Sequence, residues 1–459
     1  MSEFLTQLRA ALGDAVSVRP DALGALRTDR SGWRSEFSSI ALVNARDTAD
    51  VQTTLRLATE FGVPVVTRGA GTGLAGGANS SKNSIVLSVG GMNRILSIVP
   101  QDELAVVQPG VLNGDLNDAL ADYGLWFAPD PASRAISSIG GNIATNAGGL
   151  LCAKYGVTRE AVLGLSVVLA DGRILHTGHR TVKGVTGYDL NSLFVGSEGT
   201  LGVIVEAIVR TLPIPLGDTI TIGAVFPDVA SAARASAAIT ATRLRPAVME
   251  LLDAPSLAAI QAYVGDDVMR ASIGSTGDGS YLLVQFDAGA TEAVSAEAVR
   301  CIEHAGGRAR ASTDPETGDG LLAIRRAFHP SLAAQGQVLI EDVAVPRSRL
   351  PEMFSAIEEI SKRYGIPIPT VAHAGDGNLH PNFVFEGEQV PPTVWDAAGE
   401  LFTAALKLGG TLTGEHGVGV LKRRWLRDEL GDDSYQLQRQ LKAVFDPAGI
   451  LNPGVMFEE

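Results

Sequence analysis

The glycines of this chain are gathered into a few short segments, and that distribution constrains the fold more than any other feature. The clusters cover residues 69–77, 140–149, 184–202 and 409–419, in a chain with 52 glycines among 459 residues. Glycine permits backbone conformations and close approaches that other residues resist. We therefore expect several stretches of bare backbone, suited to binding an extended ligand along its length.

The first cluster, within RGAGTGLAGGAN (68–79), contains the spacing GxGxxG and follows an apolar run typical of a strand. In a dinucleotide-binding fold this spacing leads directly into a helix, whose N-terminus carries the pyrophosphate. Here the chain continues through NSSKNS into IVLSV, a second strand pattern. The sequence therefore argues against a Rossmann fold and favours a loop between two strands whose N–H groups bind phosphate. A plain flexible loop is the alternative.

Hydrophobic periodicity predicts an α+β protein. Short strands first alternate with a few helices. Examples are a helix over 48–62 and a pair of strands that form a hairpin over 161–178. After PIPLG (213–217) the pattern changes to one that fits an antiparallel sheet with helices on one face. The predicted segments are a first domain at 1–215, a cap domain at 216–410, and a C-terminal segment at 411–459 that returns to the first domain.

The charge balance limits the class of partner. The chain has 37 Lys and Arg against 51 Asp and Glu, a net charge of −14, so we expect no nucleic-acid partner. Its two cysteines, Cys152 and Cys301, fit no CxxC pattern and are expected to be reduced thiols in a cytoplasmic protein. No apolar run reaches about 18 residues, so no transmembrane segment is predicted.

The stretch HAGDGNLHPN (373–382) places two of the seven histidines around a glycine-rich turn. Read as a hairpin turning at GDGN (375–378), it sets His373 opposite His380, with Asn382 on the same face. Two facing imidazoles beside a carboxamide indicate a metal site. A hydrogen-bonded pair of surface histidines is the alternative that this stretch leaves open.

Two further segments, PDPASRAISSIGGNIATNAGG (129–149) and VKGVTGYDLNSLFVGSEGTLGVI (182–204), combine glycines with small hydroxyl side chains. Together with the first glycine cluster they give three glycine-rich segments before the cap domain. Three such segments favour a long ligand over a small metabolite, and FAD fits this description.

Seven motifs in register support a family resemblance. They are RGAGTGL (68–74), SIGGNIATNAGG (138–149), GYDL (187–190), GSEGTLGVI (196–204), HAGDGNLHPN (373–382), TGEHGVG (413–419) and DPAGILNPG (446–454). In this order they resemble the vanillyl-alcohol-oxidase/PCMH flavoprotein superfamily, and within it the FAD-linked D-2-hydroxyacid dehydrogenases. That branch includes D-lactate dehydrogenase, the glycolate oxidase FAD subunit and D-2-hydroxyglutarate dehydrogenase. The resemblance extends from about residue 35 to residue 457, and it implies a PCMH-type FAD domain, a cap domain and a C-terminal return.

The resemblance also implies the residues that contact FAD. They are Arg68, Gly69, Ala70, Gly71, Thr72, Gly73, Leu74, Pro129, Asp130, Ser133, Ser138, Gly140, Gly141, Thr145, Gly148, Gly199, Ile204 and Asn452. Some members of the superfamily bind FAD covalently through a histidine in the glycine loop. Residues 68–79 contain no histidine, so FAD is expected to be non-covalent.

By the same resemblance, His373, His380 and Glu415 hold a divalent metal beside Asn382, which contacts substrate. Two histidines and a carboxylate leave open positions, the pattern of catalytic zinc, with manganese or iron(II) as alternatives. His416 matches the family's catalytic base, although it could instead only orient Glu415.

Arg325, in LLAIRRAFHP (321–330), matches the arginine that binds the substrate carboxylate. Arg326 is the reserve candidate, and a solvated helix arginine is the alternative interpretation. In the 2-hydroxyglutarate branch a threonine and a lysine bind the second carboxylate, whereas His329 and Ile340 stand at those places here. This difference favours small monocarboxylic acids.

The expected reaction is oxidation of a D-2-hydroxyacid, such as D-lactate or glycolate, with FAD and a divalent metal. The alternatives are a D-2-hydroxyglutarate dehydrogenase and, from another class, an FAD-binding electron-relay subunit without catalysis. A quinone, an electron-transfer flavoprotein and an iron–sulfur subunit are all suitable electron acceptors. The sequence leaves the oligomeric state open, a homodimer included.

We predict that acid or heat denaturation of the purified protein releases intact FAD, because the glycine loop lacks a histidine for covalent attachment. The flavin absorbance of the supernatant and of the washed precipitate measures the partition. Yellow colour that stays on the precipitated chain would contradict the non-covalent attachment.

Overall fold

A computed structural model describes residues 2–287, 289–387 and 389–458. The chain divides into two compact units. Unit 1 consists of Met1–Gly148, Gly156–Ile214 and Glu415–Glu459, and unit 2 of Gly149–Tyr155 and Pro215–Gly414. The predicted α+β class is confirmed, and no helix of the described residues is long and apolar enough to cross a membrane.

Unit 1 contains eleven described strands. They are β1 (Val16–Ser17), β2 (Ala41–Asn44), β3 (Val65–Arg68), β4 (Ile85–Ser88), β5 (Ile95–Val99), β6 (Leu104–Val107), β7 (Leu125–Trp126), β8 (Val162–Val168), β9 (Ile174–Gly178), β10 (Val203–Arg210) and β11 (Leu212–Pro213). They form a sheet of order β1-β2-β4-β3, an antiparallel sheet of order β5-β6-β10-β8-β9, and the pair β11-β7. The predicted hairpin over 161–178 is present as β8 and β9.

The α-helices are α1 (Ser2–Leu12), α2 (Pro20–Ala25), α3 (Thr48–Phe61), α4 (Asn113–Ala121), α5 (Ile139–Thr145), α6 (Cys152–Tyr155), α7 (Thr158–Ala161), α8 (Asn191–Phe194), α9 (Val229–Ala241), α10 (Ala254–Val264), α11 (Asp266–Ile273), α12 (Glu292–His304), α13 (Pro315–Arg326), α14 (Phe328–Ala333), α15 (Leu350–Tyr364), α16 (Pro392–Lys407) and α17 (Arg423–Phe445). Short 3₁₀ helices occur at Gly13–Ala15, Pro100–Asp102 and Arg347–Arg349. Helices α6 and α9 to α16 belong to unit 2, and the others belong to unit 1.

Helix α3 shows how local sequence fixes the first sheet. Asp47 caps its N-terminus by accepting a hydrogen bond from the Asp50 N–H at 3.0 Å, and Gly62 ends it with a φ of 62°. Its apolar face, which includes Val51 and Leu55, packs with α1 against the first sheet. Strands β2 and β3 both run parallel to β4, whose first three residues are buried, as expected of a parallel strand covered on both faces.

The loop from β3 to β4 contains no helix, as the sequence predicted. The C-terminal segment joins the same sheet, because Leu451 forms a parallel bridge with Val65 of β3. Helix α17 was not predicted. Only Leu426 and Tyr435 of it are buried, and Gly431 interrupts it with non-helical angles, so its sequence shows no continuous apolar stripe.

Unit 2 is built on one antiparallel sheet. Its strands are β12 (Ile220–Phe226), β13 (Val248–Leu252), β14 (Ser280–Phe286), β15 (Arg308–Ser312), β16 (Gln337–Ile340), β17 (Val343–Ala344), β18 (Thr370–His373) and β19 (Asn378–Phe385). The order is β15-β12-β14-β13-β18-β19-β16, and β17 also pairs with β19.

Helices cover both faces of this sheet, so the expectation of helices on one face was wrong. Helices α10, α11, α13 and α14 pack on the face that carries Val248, Leu252 and Val371. Helices α9, α12, α15 and α16 contact one another, and α9 and α12 lie against the opposite face. The sequence signal was available, since β12 and β13 are buried at every position rather than at alternate ones.

Candidate active site

The glycine loop of unit 1 comes very close to the start of helix α5. The Ala70 N–H donates to Ser138 Oγ at 3.3 Å, and a Cβ on Gly69 would lie 2.4 Å from that oxygen. Gly71 has a φ of +70°, in the left-handed region. Glycine is therefore required both for the approach and for the turn, and the backbone of this loop is left accessible to a phosphate-bearing ligand.

The side chain of Arg68 holds this loop in shape. Its Nη1 donates to the Ala78 carbonyl at 2.8 Å and its Nη2 to the Thr28 carbonyl at 3.0 Å. Burial lowers the pKa of Arg68, and the nearby Asp29 carboxylate opposes this effect. Because the guanidinium bonds backbone oxygens, we expect the predicted contribution of Arg68 to FAD binding to be mainly through the loop it shapes.

Helix α5 carries the second glycine segment and an unsatisfied amide. A Cβ on Gly140 would lie 2.5 Å from Pro109 Cβ, so only glycine permits this packing. Asn142 is 3% exposed, and its Nδ2 has no hydrogen-bond acceptor among the described residues. A buried donor without an acceptor is costly, which suits a site completed by a ligand oxygen. Sequence reasoning did not select Asn142.

Asn452 links three segments of the predicted flavin site. Its Nδ2 donates to the carbonyls of Gly77 and Glu198, both at 2.8 Å, and its N–H donates to Val65 O at 2.8 Å. The C-terminal segment therefore fixes the end of the glycine loop and the turn before Gly199, while the predicted contact of Asn452 with FAD stays a prediction.

The other residues predicted to contact FAD also lie in unit 1, mostly in loops or near the ends of elements. They are Thr72, Gly73, Leu74, Pro129, Asp130, Ser133, Gly141, Thr145, Gly148, Gly199 and Ile204. Close backbone approaches and an unsatisfied amide in the same unit fit FAD binding.

The histidine hairpin of unit 2 forms with a different register from the predicted one. His380 pairs with Val371, and His373 pairs with Asn378. The turn occupies residues 374–377 and closes at Gly377, whose φ of 93° permits the tight return. The pairing differs from the predicted one by two residues, so both histidines keep the same face. Their rings meet at a centroid distance of 4.9 Å and an angle of 80°, and both residues are buried.

Two asparagines of β19 share this face. The Asn382 Nδ2 donates to the carbonyl of His380 at 2.7 Å, so its amide supports the backbone of the hairpin, while its predicted contact with substrate remains a prediction. The Oδ1 atom of Asn378 is buried without a hydrogen-bond donor among the described residues. A Cβ on Gly414 would lie 2.4 Å from this oxygen, so Gly414 leaves space beside an unsatisfied acceptor.

Glu250, which sequence reasoning missed, is a carboxylate of unit 2 that contacts the hairpin. It lies in β13 opposite His373 of β18 and is fully buried. Its Oε1 is 2.6 Å from His373 Nδ1, and its Oε2 accepts a hydrogen bond from Arg325 Nε at 2.7 Å. Burial raises the pKa of Glu250, but its interactions with His373 and Arg325 outweigh this effect and hold the pKa below its ordinary value. The single charged residue in the apolar strand VMELL was the available signal.

The structure separates the two candidate arginines at the end of α13. The side chain of Arg325 is 17% exposed and is fixed by Glu250, whereas that of Arg326 is 65% exposed and lies 3.9 Å from Asp319. The Nη1 and Nη2 groups of Arg325 form no hydrogen bond within the described residues. Arg325 is therefore the one with a fixed position and available donors for a carboxylate.

The loop that leads to Glu415 is held by a second buried carboxylate. Asp342 accepts hydrogen bonds from the Thr413 hydroxyl at 2.9 Å and from the Gly414 N–H at 2.6 Å. Asp342 lies between β16 and β17. The carboxylate thus fixes the backbone immediately before Glu415.

A third buried carboxylate, Glu198 of unit 1, holds the backbone after His416. Its two oxygens accept hydrogen bonds from the N–H groups of Val418 and Gly419, both at 2.7 Å. Burial raises the pKa of Glu198 to about 7, against the opposing effects of these bonds and of Lys422. Glu415 and His416 themselves are half-buried.

His373 and His380 bring two imidazoles together on the hairpin of unit 2. These two rings, beside the unsatisfied oxygen of Asn378, fit a divalent cation that accepts nitrogen and oxygen ligands. Glu415, which belongs to unit 1, stays the predicted third ligand.

Comparison with known proteins identifies the family of the chain. The family model described as FAD linked oxidases, C-terminal domain, matches residues 218–456, and the FAD binding domain model matches residues 39–178. The chain belongs to the FAD-linked oxidase family. It is therefore an FAD-dependent oxidoreductase, as the motifs predicted.

Two named members of this family show the range of relatives. The chain is 41% identical over 426 residues to a protein of Bacillus subtilis (strain 168) named glycolate oxidase subunit GlcD, covering 91% of this chain and 88% of that one. It is 34% identical over 420 residues to a protein of Archaeoglobus fulgidus named D-lactate dehydrogenase, covering 91% of each.

Solved structures share the fold of this FAD-linked oxidase. p-Cresol methylhydroxylase with substrate bound superposes with a TM-score of 0.81 at 19% identity, over 100% of this chain and 97% of that one. An alkyldihydroxyacetonephosphate synthase superposes with a TM-score of 0.74 at 20% identity, over 99% and 84%. These likenesses confirm the predicted PCMH-type fold and nothing more specific.

Titration of Glu198 should make stability depend on pH. Because its pKa in the folded protein lies above the ordinary value of 4.5, the folded state holds the proton more tightly. The free energy of unfolding should therefore fall, by about 1–3 kcal/mol, as pH rises from about 4.5 to about 7.

Glu198→Gln should lack this fall in the free energy of unfolding. The control variant Glu206→Gln, which changes a half-buried glutamate of the same unit, should keep it. Urea unfolding at several pH values measures how the free energy of unfolding of each variant changes with pH. The same pH dependence in wild type and Glu198→Gln would contradict the assignment of this effect to Glu198.

Proposed function

We propose that this FAD-linked oxidase oxidises a D-2-hydroxyacid of the D-lactate or glycolate type to the 2-oxoacid, with a divalent metal as second cofactor. The observation that carries the proposal is the face of the unit 2 sheet on which His373 and His380 meet and Glu250 fixes Arg325. Metal-ligand chemistry and a positioned arginine together suit a substrate that has both a hydroxyl and a carboxylate. The names of the two relatives point to the same substrate class.

The metal would be held by His373, His380 and Glu415. A divalent cation bound there would supply Lewis acidity, the chemistry that lowers the pKa of a substrate hydroxyl. Zinc suits the two imidazoles and one carboxylate, and manganese or iron(II) are the alternatives.

The chain's own residues then bind the substrate and move its proton. Arg325 would grip the carboxylate through its Nη1 and Nη2 groups, whose planar arrangement matches two carboxylate oxygens. His416 would accept the proton of the hydroxyl as the general base. Bound FAD supplies, at flavin N5, the acceptor for the hydride that leaves the α-carbon.

A small monocarboxylic substrate is favoured over D-2-hydroxyglutarate. Ile340 of β16 pairs with Asn382 of β19, so their side chains share the face that carries His380. An apolar side chain at this place offers no charge to a second carboxylate. D-2-hydroxyglutarate oxidation therefore remains the second candidate within this reaction type.

The electron acceptor is proposed to be a quinone, an electron-transfer flavoprotein or an iron–sulfur subunit. The name of the Bacillus subtilis relative describes it as a subunit, which favours a partner protein. A non-catalytic electron-relay subunit is the alternative from another class. It would have no need of the arranged histidines and Arg325, and it would not be reduced by any 2-hydroxyacid.

We predict that anaerobic D-lactate or glycolate bleaches the flavin absorbance, whereas L-lactate does not. With hydroxyl and carboxylate both fixed, only one enantiomer can direct its α-hydrogen to the flavin. Arg325→Ala should lower kcat/KM by an amount that corresponds to about 2–4 kcal/mol of lost transition-state stabilisation, the scale for losing one partner of a buried charged pair. Arg326→Ala, on the exposed side of the same helix, is the matched control and should retain wild-type kinetics.

Three results would count against this substrate assignment. A preference of orders of magnitude for D-2-hydroxyglutarate over D-lactate would overturn the role of Ile340. Bleaching by L-lactate alone would overturn the assigned enantiomer. No bleaching by any 2-hydroxyacid would favour the electron-relay alternative.

Removal of the metal should abolish activity and leave FAD bound. The flavin segments of unit 1 contain none of the three predicted ligands, so dialysis against a chelator should preserve the flavin spectrum. His380→Ala should give the same result because it removes one imidazole. Re-addition of Zn²⁺, Mn²⁺ or Fe²⁺ to the stripped protein tests which ion restores turnover, and full activity of a metal-free preparation would contradict the site.

A further inference from the structure

We propose that Glu250 is a positioning residue that fixes two groups at once, the tautomer of the metal ligand His373 and the orientation of Arg325. The inference rests on the proposed function and assigns a role to a residue that neither touches the reacting atoms nor belongs to the predicted ligand set. It depends on a single buried side chain with one partner on each oxygen.

The place of Glu250 in the sheet explains why its carboxylate is so well fixed. Strand β13 is hydrogen-bonded on both sides, with Leu283 of β14 and His373 of β18 as the cross-strand neighbours of Glu250. The residue is fully buried, and every other residue of this strand is apolar. Backbone pairing on both edges and packing around it leave the carboxylate little freedom to move.

The contact with His373 decides which ring nitrogen carries the proton. An ionised carboxylate can only accept hydrogen bonds, so the 2.6 Å contact requires a proton on His373 Nδ1. The neutral ring then has its lone pair on Nε2, where a metal can bind. A carboxylate behind a ligating histidine also raises its basicity and fixes the ring orientation.

The contact with Arg325 uses one particular edge of the guanidinium. Because Nε donates to Glu250 at 2.7 Å, the donors that remain are those of Nη1 and Nη2. The plane of the group is thereby set before substrate arrives, and its two terminal nitrogens are left for the substrate carboxylate. The carboxylate of Glu250 also compensates the charge of Arg325, which is mostly buried.

Stability alone does not account for this arrangement. A buried ion pair gains little or nothing over apolar side chains of the same volume, because the two charges must be removed from water. Valine, methionine and leucine occupy the neighbouring positions of the strand, and a leucine at 250 would continue that pattern. The two groups held by Glu250 are instead those that the proposed reaction needs in fixed positions.

Glu250→Gln is the discriminating variant, because a glutamine has one acceptor and one donor where the carboxylate has two acceptors. If its oxygen faces Arg325, its NH₂ meets His373 Nδ1 and favours the tautomer that cannot bind a metal through Nε2. If its oxygen faces His373, its NH₂ opposes the Nε–H of Arg325 and displaces the guanidinium. Either arrangement damages one of the two functions while nearly preserving the volume.

The test uses the FAD-loaded full chain and two measurements. The dissociation constant for Zn²⁺, by competition with a chromophoric chelator, needs no turnover, and KM and kcat for D-lactate report on Arg325. For Glu250→Gln we expect Zn²⁺ affinity to fall by about 10- to 100-fold, or KM to rise by a similar factor. Glu250→Leu should lose both functions, and its unfolding midpoint should fall because the mostly buried charge of Arg325 is left without its partner.

Asp253→Asn is the matched control. Asp253 is a buried carboxylate at the end of the same strand, where it accepts hydrogen bonds from the Ser256 and Thr370 N–H groups. Asp253→Asn should lower stability but leave the site intact, so its dissociation constant for Zn²⁺ and its KM should match those of wild type.

Unchanged Zn²⁺ affinity and unchanged KM in Glu250→Gln would overturn this inference and leave the proposed function standing. A wild-type protein that binds no Zn²⁺, Mn²⁺ or Fe²⁺ would overturn the metal in the proposed function and, with it, the role assigned to His373.

Discussion

The carboxylate of Glu250 is fully buried, and a buried charge is costly unless it is paired and hydrogen-bonded. Arg325 and His373 meet that requirement, and in doing so each acquires a defined orientation. The rest of the unit 2 site depends on this pairing of one carboxylate with two partners. A helix side chain and a strand side chain, which pack on the same face of the sheet, share one anchor and are therefore fixed relative to each other.

Unit 1 achieves order by a different means. Its predicted flavin segments offer few charged side chains, and their geometry comes from backbone that only glycine permits, as at Gly69 and Gly140. The polar side chains there mostly hold other loops: Arg68 bonds two carbonyls and Asn452 bonds three segments together. A cofactor that binds along such a surface would be recognised chiefly by main-chain groups, with Asn142 as a side-chain donor still without an acceptor among the described residues.

Much of the fold and the principal site candidates were readable from the sequence because their signals are local. The glycine loop between two strands follows from adjacent residues, and so does the histidine hairpin. Glu250 was missed because its partners lie 75 and 123 residues away along the chain. The register of the hairpin depended on the backbone angle of Gly377, which composition does not determine. Helix α17 escaped prediction because so few of its residues are buried.

The short segment Gly149–Tyr155 belongs to unit 2 although both of its flanks belong to unit 1. Its Leu150 and Leu151 pack against the hydrophobic core that also contains Val248 and Leu252. The chain therefore passes between the units four times, at 148/149, 155/156, 214/215 and 414/415. A fragment of residues 215–414 would lack part of its own core, so unit 2 cannot be transplanted between relatives by a single splice. A chimaera that exchanges unit 2 between relatives has to carry the seven-residue segment Gly149–Tyr155 along with residues 215–414.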